Sequence, residues 1–492
     1  MMRLSSHAFV RLAPLALALL LVARTVSTAI LPLTDATEGR YAQVAQEMAV
    51  TGDWVTPRVW MNETHLPFLG KPPLFFWASA GAIKIFWQNE FAARLPSVLA
   101  AVALLGLLYS VMGRYGGAGS GLLSVLLTAS CGFFAAVAGS VSVDMLFSAC
   151  VAGSLLAYFA FISETDRLIR RRWSLLVFVL LALGFLTKGP VAVVLFGLPV
   201  LVWTMRWRGW PRLREHRWLA GTLLFLVLVV PWFLLCEVRN PGFIKYFFVN
   251  ENLLRFVTHD YGDAYGSGHL YPRGSALLMF VVAAAPWSLF GLWLVFSRWR
   301  AIKDVCQADR QAGFLFLSFA AGILFWCLAR QLLFTYVLPM VPLFAAWLVW
   351  VIRGETARKR LLSLSTALVA VMAVVSIVCV PALRNVKTTR EIVRMAQKHS
   401  GNGCFSREPL IFERKTPYSA LFYARGWVVP HPKEPLQKTL RRYSGTWRSA
   451  LVVIETGQKN KLTGLAPGGW SKLATVGEWT LIRVSVVPEI SR

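Results

Sequence analysis

The chain has 492 residues, of which 56% are hydrophobic and 15% charged, with 20 Trp and 32 Phe. Apolar runs of about 18–22 residues recur along it, which matches the hydrocarbon core of a bilayer and excludes an ordinary water-soluble globule. The formal charge of +27 does not point to nucleic acid: the basic residues gather in short loops between apolar runs, as the positive-inside bias and contact with anionic headgroups require.

At the N-terminus Arg3 and Arg11 precede the apolar run Leu12–Val22, and Ser27-Thr28-Ala29 supplies the small residues of a signal-peptidase site. Polar residues with chemical promise begin at once after it, so an uncleaved first helix is expected. Further spans are expected near 91–112, 117–139, 145–162, 173–187, 190–205, 218–236, 274–297, 311–328, 335–352 and 361–382. With the first, near 9–31, that makes a polytopic α-helical membrane protein of about 11–13 transmembrane helices. If the N-terminus is cytoplasmic, Arg114, Arg167/Arg170/Arg171/Arg172, Arg206/Arg208/Arg212/Arg214, Arg298/Arg300/Lys303 and Arg353/Arg358/Lys359/Arg360 all fall inside. The outer side then receives 32–90, the turn at Ser142–Asp144, the loop 237–273, Arg330 and the chain beyond about 383. Residues 72–90 are too short for a span and read as a membrane-surface helix.

The first outer loop opens with Thr34-Asp35-Ala36-Thr37-Glu38-Gly39-Arg40-Tyr41. Two carboxylates and an arginine at the point where a helix leaves lipid suit acid–base and anion-binding chemistry on a lipid-linked substrate. From Arg40 to Val50 a helical period puts Tyr41, Val44, Ala45 and Met48 on one face, to lie along the membrane. Thr34 or Asp35 is placed to cap its start, which is the competing structural role for Asp35, and Gly52 to end it. Trp54–Arg58 reads as extended, and Lys71-Pro72-Pro73 as a rigid return toward lipid.

Farther on, Asp144 lies at the end of a span, where a carboxylate is costly without a partner or a purpose. Cys131, Cys150, Cys236, Cys327 and Cys379 lie in or beside apolar runs, Cys306 in a basic loop and Cys404 alone, so neither a disulfide framework nor a CxxC metal pair is present. From 383 onward the apolar runs shorten to strand length (Pro409–Phe412, Ala450–Ile454, Trp479–Val487), with helical stretches at Thr388–Lys398 and Pro417–Tyr423. A small α/β domain over 383–492, outside the membrane and following a membrane domain over 1–382, is expected. Its basic residues Arg384, Lys387, Arg390, Arg394 and Lys398 adjoin the headgroups.

The pieces DATEGRYAQVAQEM, TGDWVTPR, GKPPLFFW, FAARLPSVLAA, SVDMLFSA, GFLTKGPVAV, LLRF, APWSL and TYVLPMVPLFAAW occur in that order. Together they resemble the polyprenyl-phosphate-sugar glycosyltransferases of the GT-C type over roughly residues 10–350. Within that superfamily they are most similar to bacterial aminoarabinose (lipid A) transferases and protein O-mannosyltransferase-like enzymes. The resemblance implies a multi-helix fold whose outer-face cavity takes a sugar from a polyprenyl (undecaprenyl) phosphate carrier and passes it to a lipid or glycan acceptor. It also implies the bacterial inner membrane as the setting, with the C-terminal domain expected to be periplasmic. The absence of a Gly-rich nucleotide cradle agrees with a lipid-linked donor.

The resemblance maps the donor-phosphate residues onto Arg40, Lys71 and Arg255, a cavity-lining role onto Tyr336, and a catalytic acid onto Asp144. Lys188 in LTKGP, at an outer span end, is a secondary cavity candidate. Relatives carry adjacent Asp-Glu before the Arg-Tyr pair. Glu38 matches the glutamate, but Thr37 stands at the aspartate position and Asp35 two residues earlier, so which of Asp35 and Glu38 is the main catalyst stays open. Relatives also place an acid before the KPP lysine, where it helps bind a divalent metal. Gly70 stands there instead, which leaves metal dependence open, with His259, Asp260 and His269 as weak ligands. The rival readings are a polyprenyl-lipid flippase, which would share the basic cavity without needing the acids, and a protein O-glycosyltransferase.

Overall fold

The computed structural model describes residues 6–61, 64–258, 265, 269–352, 354–383, 386–400, 408–413, 415–429, 436–442, 447, 449–456 and 469–485. The chain divides into two compact units. The first comprises Met1–Thr28, Leu69–Ala78 and Arg94–Val378, the second Ala29–Phe68, Ser79–Ala93 and Cys379–Arg492. The outer loop expected to belong with the membrane helices is thus grouped largely with the C-terminal region.

The first unit is a helical bundle. Among the described residues seven helices of the chain are long and apolar enough to cross a membrane, and nine if each of two bent pairs counts as one span. Every segment expected from the sequence corresponds to a helix, and the lower count has local causes. Residues 117–139 form Ser120–Ala129 and Gly132–Ala138, bent by 78°, and 274–297 lie in Ser275–Ala283 and Trp287–Ala308, bent by 112°. Val191–Arg206 has only 16 residues. Arg167–Lys188 begins with an arginine run that only later gives way to apolar sequence.

Helix boundaries follow capping chemistry. Ser142 starts Val143–Ser163 by accepting the Asp144 N–H at 3.1 Å. Asp166 starts Arg167–Lys188 by accepting from Leu168 and Ile169 at 2.8 and 2.9 Å. Gly189, at φ 90°, stops that helix and leaves Lys188 as its last residue. Val143–Ser163 packs along Arg167–Lys188, and a Cβ added at Gly184 would lie 3.1 Å from Ala192 Cβ and 3.2 Å from Cys150 Cβ. Small residues let three helices approach this closely. Tyr158, Phe159, Phe161, Phe314 and Trp347 fill the core.

The second unit is built round a five-stranded sheet in the order Val428–Val429, Leu410–Phe412, Ser449–Glu455, Trp479–Ser485, Trp470–Val476. Its first two pairings are parallel, its last two antiparallel. Helix Arg390–His399 packs on it, burying Ile392, Val393 and Ala396 with Phe412, Leu451 and Leu481. Helix Thr37–Thr51 lies against Tyr418–Ala424, and its face Tyr41, Val44, Ala45, Met48 is buried as the period requires. Gly52, at φ 72°, ends it. Its start departs from expectation: the N-cap is Ala36, with no side-chain cap. Thr34 and Asp35 are used otherwise, as described below.

Candidate active site

In the first unit Lys71, Asp144, Lys188, Arg255 and Tyr336, which are spread over the chain, come together. Lys71 is held by the turn before Pro72-Pro73. Lys188 ends its helix, and Asp144 sits in the first turn of Val143–Ser163. Arg255 directly follows a π-helical stretch, Tyr246–Leu254, and Tyr336 lies in the 3₁₀ turn Phe334–Val337. Such irregular backbone at membrane depth is tolerated where it lines a cavity, and π-helical turns are frequent at functional sites.

A cavity of about 290 Å³ is lined by Lys71, Lys188, Glu251, Arg255 and Tyr336, with Val191, Val194 and Phe247 among its apolar walls. Glu251 joins two of the cations: its Oε2 lies 3.3 Å from Lys71 Nζ and accepts from Arg255 Nη1 at 3.0 Å, while its Oε1 accepts from the Tyr246 hydroxyl at 3.1 Å. Its side chain is 3% exposed. Burial alone would raise this carboxyl, but Lys71, Arg255 and Tyr246 outweigh it and hold the group below its ordinary value. Burial lowers the Lys71 ammonium from its usual range, and Glu251 opposes that shift.

The third cation has a partner of its own. Lys188 Nζ donates to Asp144 Oδ1, Thr335 Oγ1 donates to Asp144 Oδ2 at 2.6 Å, and Nζ stands 3.8 Å from the centre of the Tyr336 ring. Tyr336 in turn packs on Trp326, with ring centres 4.5 Å apart. The site therefore holds three cations and two carboxylates, a balance of one positive charge, with all five side chains largely buried, where electrostatic contacts are stronger than in bulk water. An oxyanion is the ligand such a site suits.

Residues 70–234 match the family model of dolichyl-phosphate-mannose-protein mannosyltransferases. The undecaprenyl phosphate-alpha-4-amino-4-deoxy-L-arabinose arabinosyl transferase of Pseudomonas aeruginosa is 32% identical over 313 residues, 62% of this chain and 53% of the relative. A second transferase of that name, from Pseudomonas fluorescens, is 30% identical over 75% of this chain and 62% of its own length. The chain thus spans a little over half the length of these relatives. The crystal structure of ArnT from Cupriavidus metallidurans bound to undecaprenyl phosphate superposes with a TM-score of 0.75 at 20% identity, covering 95% of this chain and 97% of that one. The chain has a GT-C type fold.

The first unit brings together Lys71 and Arg255, expected from the sequence at a phosphate site, and places beside the expected residues two that motif reading misses, Glu251 and Thr335. Glu251 leaves a sequence signal, since it precedes Arg255 by four residues in the favourable acid-before-base order. Thr335 leaves none, because only the fold brings it to Asp144. At Gly70, where the resemblance leads one to expect an acid, a Cβ would lie 3.3 Å from Glu251 Oε1. The carboxylate beside that position is therefore supplied by Glu251.

Asp35, Glu38 and Arg40 belong to the second unit and find partners within it. Glu38 Oε2 accepts both the N–H and the hydroxyl of Thr34, at 2.9 and 3.0 Å. Asp35 accepts the Ser419 N–H at 2.9 Å and, with its other oxygen, the Ser419 hydroxyl. Burial raises the Asp35 carboxyl above its usual value, against the lowering effect of the Ser419 bonds. Arg40 stands over the rings of Tyr41, Phe68 and Tyr418 at 5.6–6.0 Å. These contacts explain why neither Thr34 nor Asp35 caps the helix. His269 lies exposed in a two-residue strand paired with Leu332, while His259 and Asp260 lie outside the described residues. Among the described residues no three His, Cys, Asp or Glu side chains gather to hold a metal ion.

Proposed function

We propose that this chain transfers a monosaccharide from polyprenyl phosphate to lipid A or another envelope glycan, at the outer face of the bacterial inner membrane. The observation that carries the reading is the grouping of Lys71, Lys188 and Arg255 round one cavity with apolar walls. A departing polyprenyl phosphate needs its growing charge met by fixed cations, and the burial of these side chains makes those contacts worth more than in solution. The carrier phosphate would take Lys71 and Arg255 from Glu251, while Asp144 and Thr335 keep Lys188 aimed into the cavity. The distribution of Lys and Arg between the apolar runs supports an outer-face site, with the N-terminus cytoplasmic and the C-terminal region periplasmic.

The acceptor decides what the carboxylates do. A lipid A phosphate is already an anion and needs no base, whereas a hydroxyl on a glycan or protein must lose a proton to Asp35, Glu38 or Asp144. The sequence similarity to aminoarabinose transferases supports the phosphate acceptor, and the match over 70–234 supports asking about a protein hydroxyl. Purified protein given undecaprenyl-phosphate-aminoarabinose and lipid A should yield a mass-shifted lipid A and free carrier phosphate. Turnover of a nucleotide sugar with no polyprenyl carrier present would refute the donor assignment, and modification of a protein with lipid A untouched would move the acceptor.

A further inference from the structure

A second cavity, of about 340 Å³, lies in the first unit among helices Arg167–Lys188, Val191–Arg206 and Trp218–Arg239, and shares no lining residue with the first. Its walls are Phe178, Phe196, Val200 and Phe225, and Leu213 and Trp218 line it as well. Its few polar groups include the Thr204 hydroxyl, which is spent on the Val200 carbonyl at 2.7 Å. Such a chamber has nothing to offer a sugar or a charged group. At its rim Leu201 is 52% exposed, so it opens on the apolar outer surface of the bundle, where lipid chains lie.

The residues next to Leu213 and Trp218 have the opposite character. Helix Trp210–Glu215 buries none of its side chains. Arg206, Arg208, Arg214 and Arg217 are exposed, and among the described residues none of the four has a carboxylate partner. The one acid between Arg206 and Trp218 is Glu215, and it is already engaged by Arg170 at 3.1 Å and Arg212 at 3.2 Å. An apolar chamber with a surplus of guanidinium groups at one end matches an amphiphile with an anionic head.

We propose that this is a binding site for an anionic phospholipid, with an acyl chain in the cavity and the headgroup phosphate on Arg214 and Arg217. Basic pockets between transmembrane helices on the cytoplasmic side are suited to anionic headgroups, and the charge-derived topology puts these arginines there. Polyprenyl phosphate has a comparable head and tail but is not the occupant. The candidate active site lies at the Lys188 end of the Arg167–Lys188 helix, and this basic patch gathers about its other end, roughly 33 Å away at the helical rise per residue. An acidic peptide would use the arginines but not the chamber. The site does not depend on the function proposed above.

The test uses the full chain, delipidated in detergent and examined by native mass spectrometry with phosphatidylglycerol, phosphatidylethanolamine or undecaprenyl phosphate added. The wild type should retain phosphatidylglycerol in preference to phosphatidylethanolamine. Arg214→Glu with Arg217→Glu should weaken that retention about tenfold or more. Gly197→Leu tests the chamber separately: Gly197 lines it, and an added Cβ meets nothing within 4 Å, so the new side chain fills the space without a backbone clash. It should reduce phosphatidylglycerol retention although every arginine remains. Both variants should still elute as monodisperse protein and bind inorganic phosphate at the other cavity, which separates lost lipid from lost fold. Equal retention of the two phospholipids, an unchanged preference in the arginine variant, unchanged binding in Gly197→Leu, or displacement of phosphatidylglycerol by equimolar undecaprenyl phosphate would each overturn the proposal.

Discussion

Glu251 and Lys71, 180 residues apart, form an ion pair at 3.3 Å with side chains only 3% and 13% exposed. Arg255 shares the same carboxylate oxygen. A buried charge that loses its partner is strongly destabilising, by about 3–5 kcal/mol, so Glu251→Gln should lower thermal stability by a large part of that amount. A phosphate ligand offers Lys71 and Arg255 the charge they have lost, so undecaprenyl phosphate should restore Glu251→Gln toward the wild-type melting temperature. Lys71→Ala and Arg255→Ala should instead show little stabilisation by the ligand, with turnover down about 10²-fold. Thermal melts with and without the ligand decide the matter: if Glu251→Gln gains no more from it than the wild type, the carboxylate is not a phosphate stand-in. The sign with pH is fixed as well. Glu251 is depressed in the folded state, so its contribution is present above about pH 4.3 and is lost as pH falls through the folded value.

His216 gives a second pH dependence, away from the site. It is 3% exposed, with Nδ1 2.6 Å from the Ser174 hydroxyl and the rings of Phe161, Phe178 and Trp218 about it. Burial lowers its pKa to about 4. The folded state favours the neutral ring, so stability is full above about pH 6.5, declines as the unfolded chain takes up the proton, and levels off near pH 4. A shift of that size corresponds to about 3 kcal/mol at most. His216→Gln should flatten the acid limb of the stability profile between those values. A limb of unchanged steepness in the variant would assign it to other groups.

Asp35 is predicted to be tolerant of amide replacement. An Asn keeps an oxygen for the Ser419 N–H at the 2.9 Å position and turns its NH₂ toward the Ser419 hydroxyl. It also removes the cost of burying a carboxylate whose pKa is raised in the folded state. That cost appears as pH rises through about 3.9 to the raised value and persists above it. At neutral pH Asp35→Asn should therefore be as stable as the wild type or more so, with transfer to a phosphate acceptor within about threefold. Gly39→Ala is the contrasting variant. Its Cβ would lie 2.8 Å from both Asp35 Oδ1 and Ser419 N, so it should lower stability by forcing that contact apart. A loss of about 10²-fold in Asp35→Asn at unchanged donor affinity would instead make Asp35 a general base.

Much of this was legible in the chain because hydropathy and charge are local signals. The expected spans correspond to helices, and the amphipathic face of Tyr41, Val44, Ala45 and Met48 is buried where its period requires. Lys71, Arg255 and Tyr336, singled out from motif order, and the secondary candidate Lys188 line one cavity. The bends at 117–139 and 274–297 were not expected, although Ser130-Cys131-Gly132 and Pro286 stand at them, because high hydropathy on either side reads as one continuous span. Neither was the use of Asp35. Helix-start chemistry alone favours a cap, and Ser419, 384 residues away, supplies a competing pair of hydrogen bonds that no local pattern announces. Thr335 belongs to the same class of residue, whose function depends on a partner brought by the fold.

Asp144, Lys188 and Thr335 yield the sharpest separation between positioning and catalysis. Both Asp144 oxygens are engaged, one by Lys188 and the other by Thr335 at 2.6 Å. Asp144→Asn leaves Lys188 without a counter-charge next to the Tyr336 ring, so the ammonium loses its fixed aim and turnover should fall about 10²-fold. Lys188→Gln should produce a loss of similar size by removing the cation itself. If Asp144 acts only through Lys188, the double variant is no worse than either single one, and the cycle gives a coupling energy within about 0.5–3 kcal/mol. Thr335→Val, which removes one hydrogen bond and keeps the ion pair, should have a smaller effect. If Asp144 takes a proton from the acceptor, its loss adds to that of Lys188, and the deficit depends on whether the acceptor presents a hydroxyl or a phosphate. Turnover of the four proteins on both acceptor types distinguishes the cases, and additive losses confined to hydroxyl acceptors would recast Asp144 as the base.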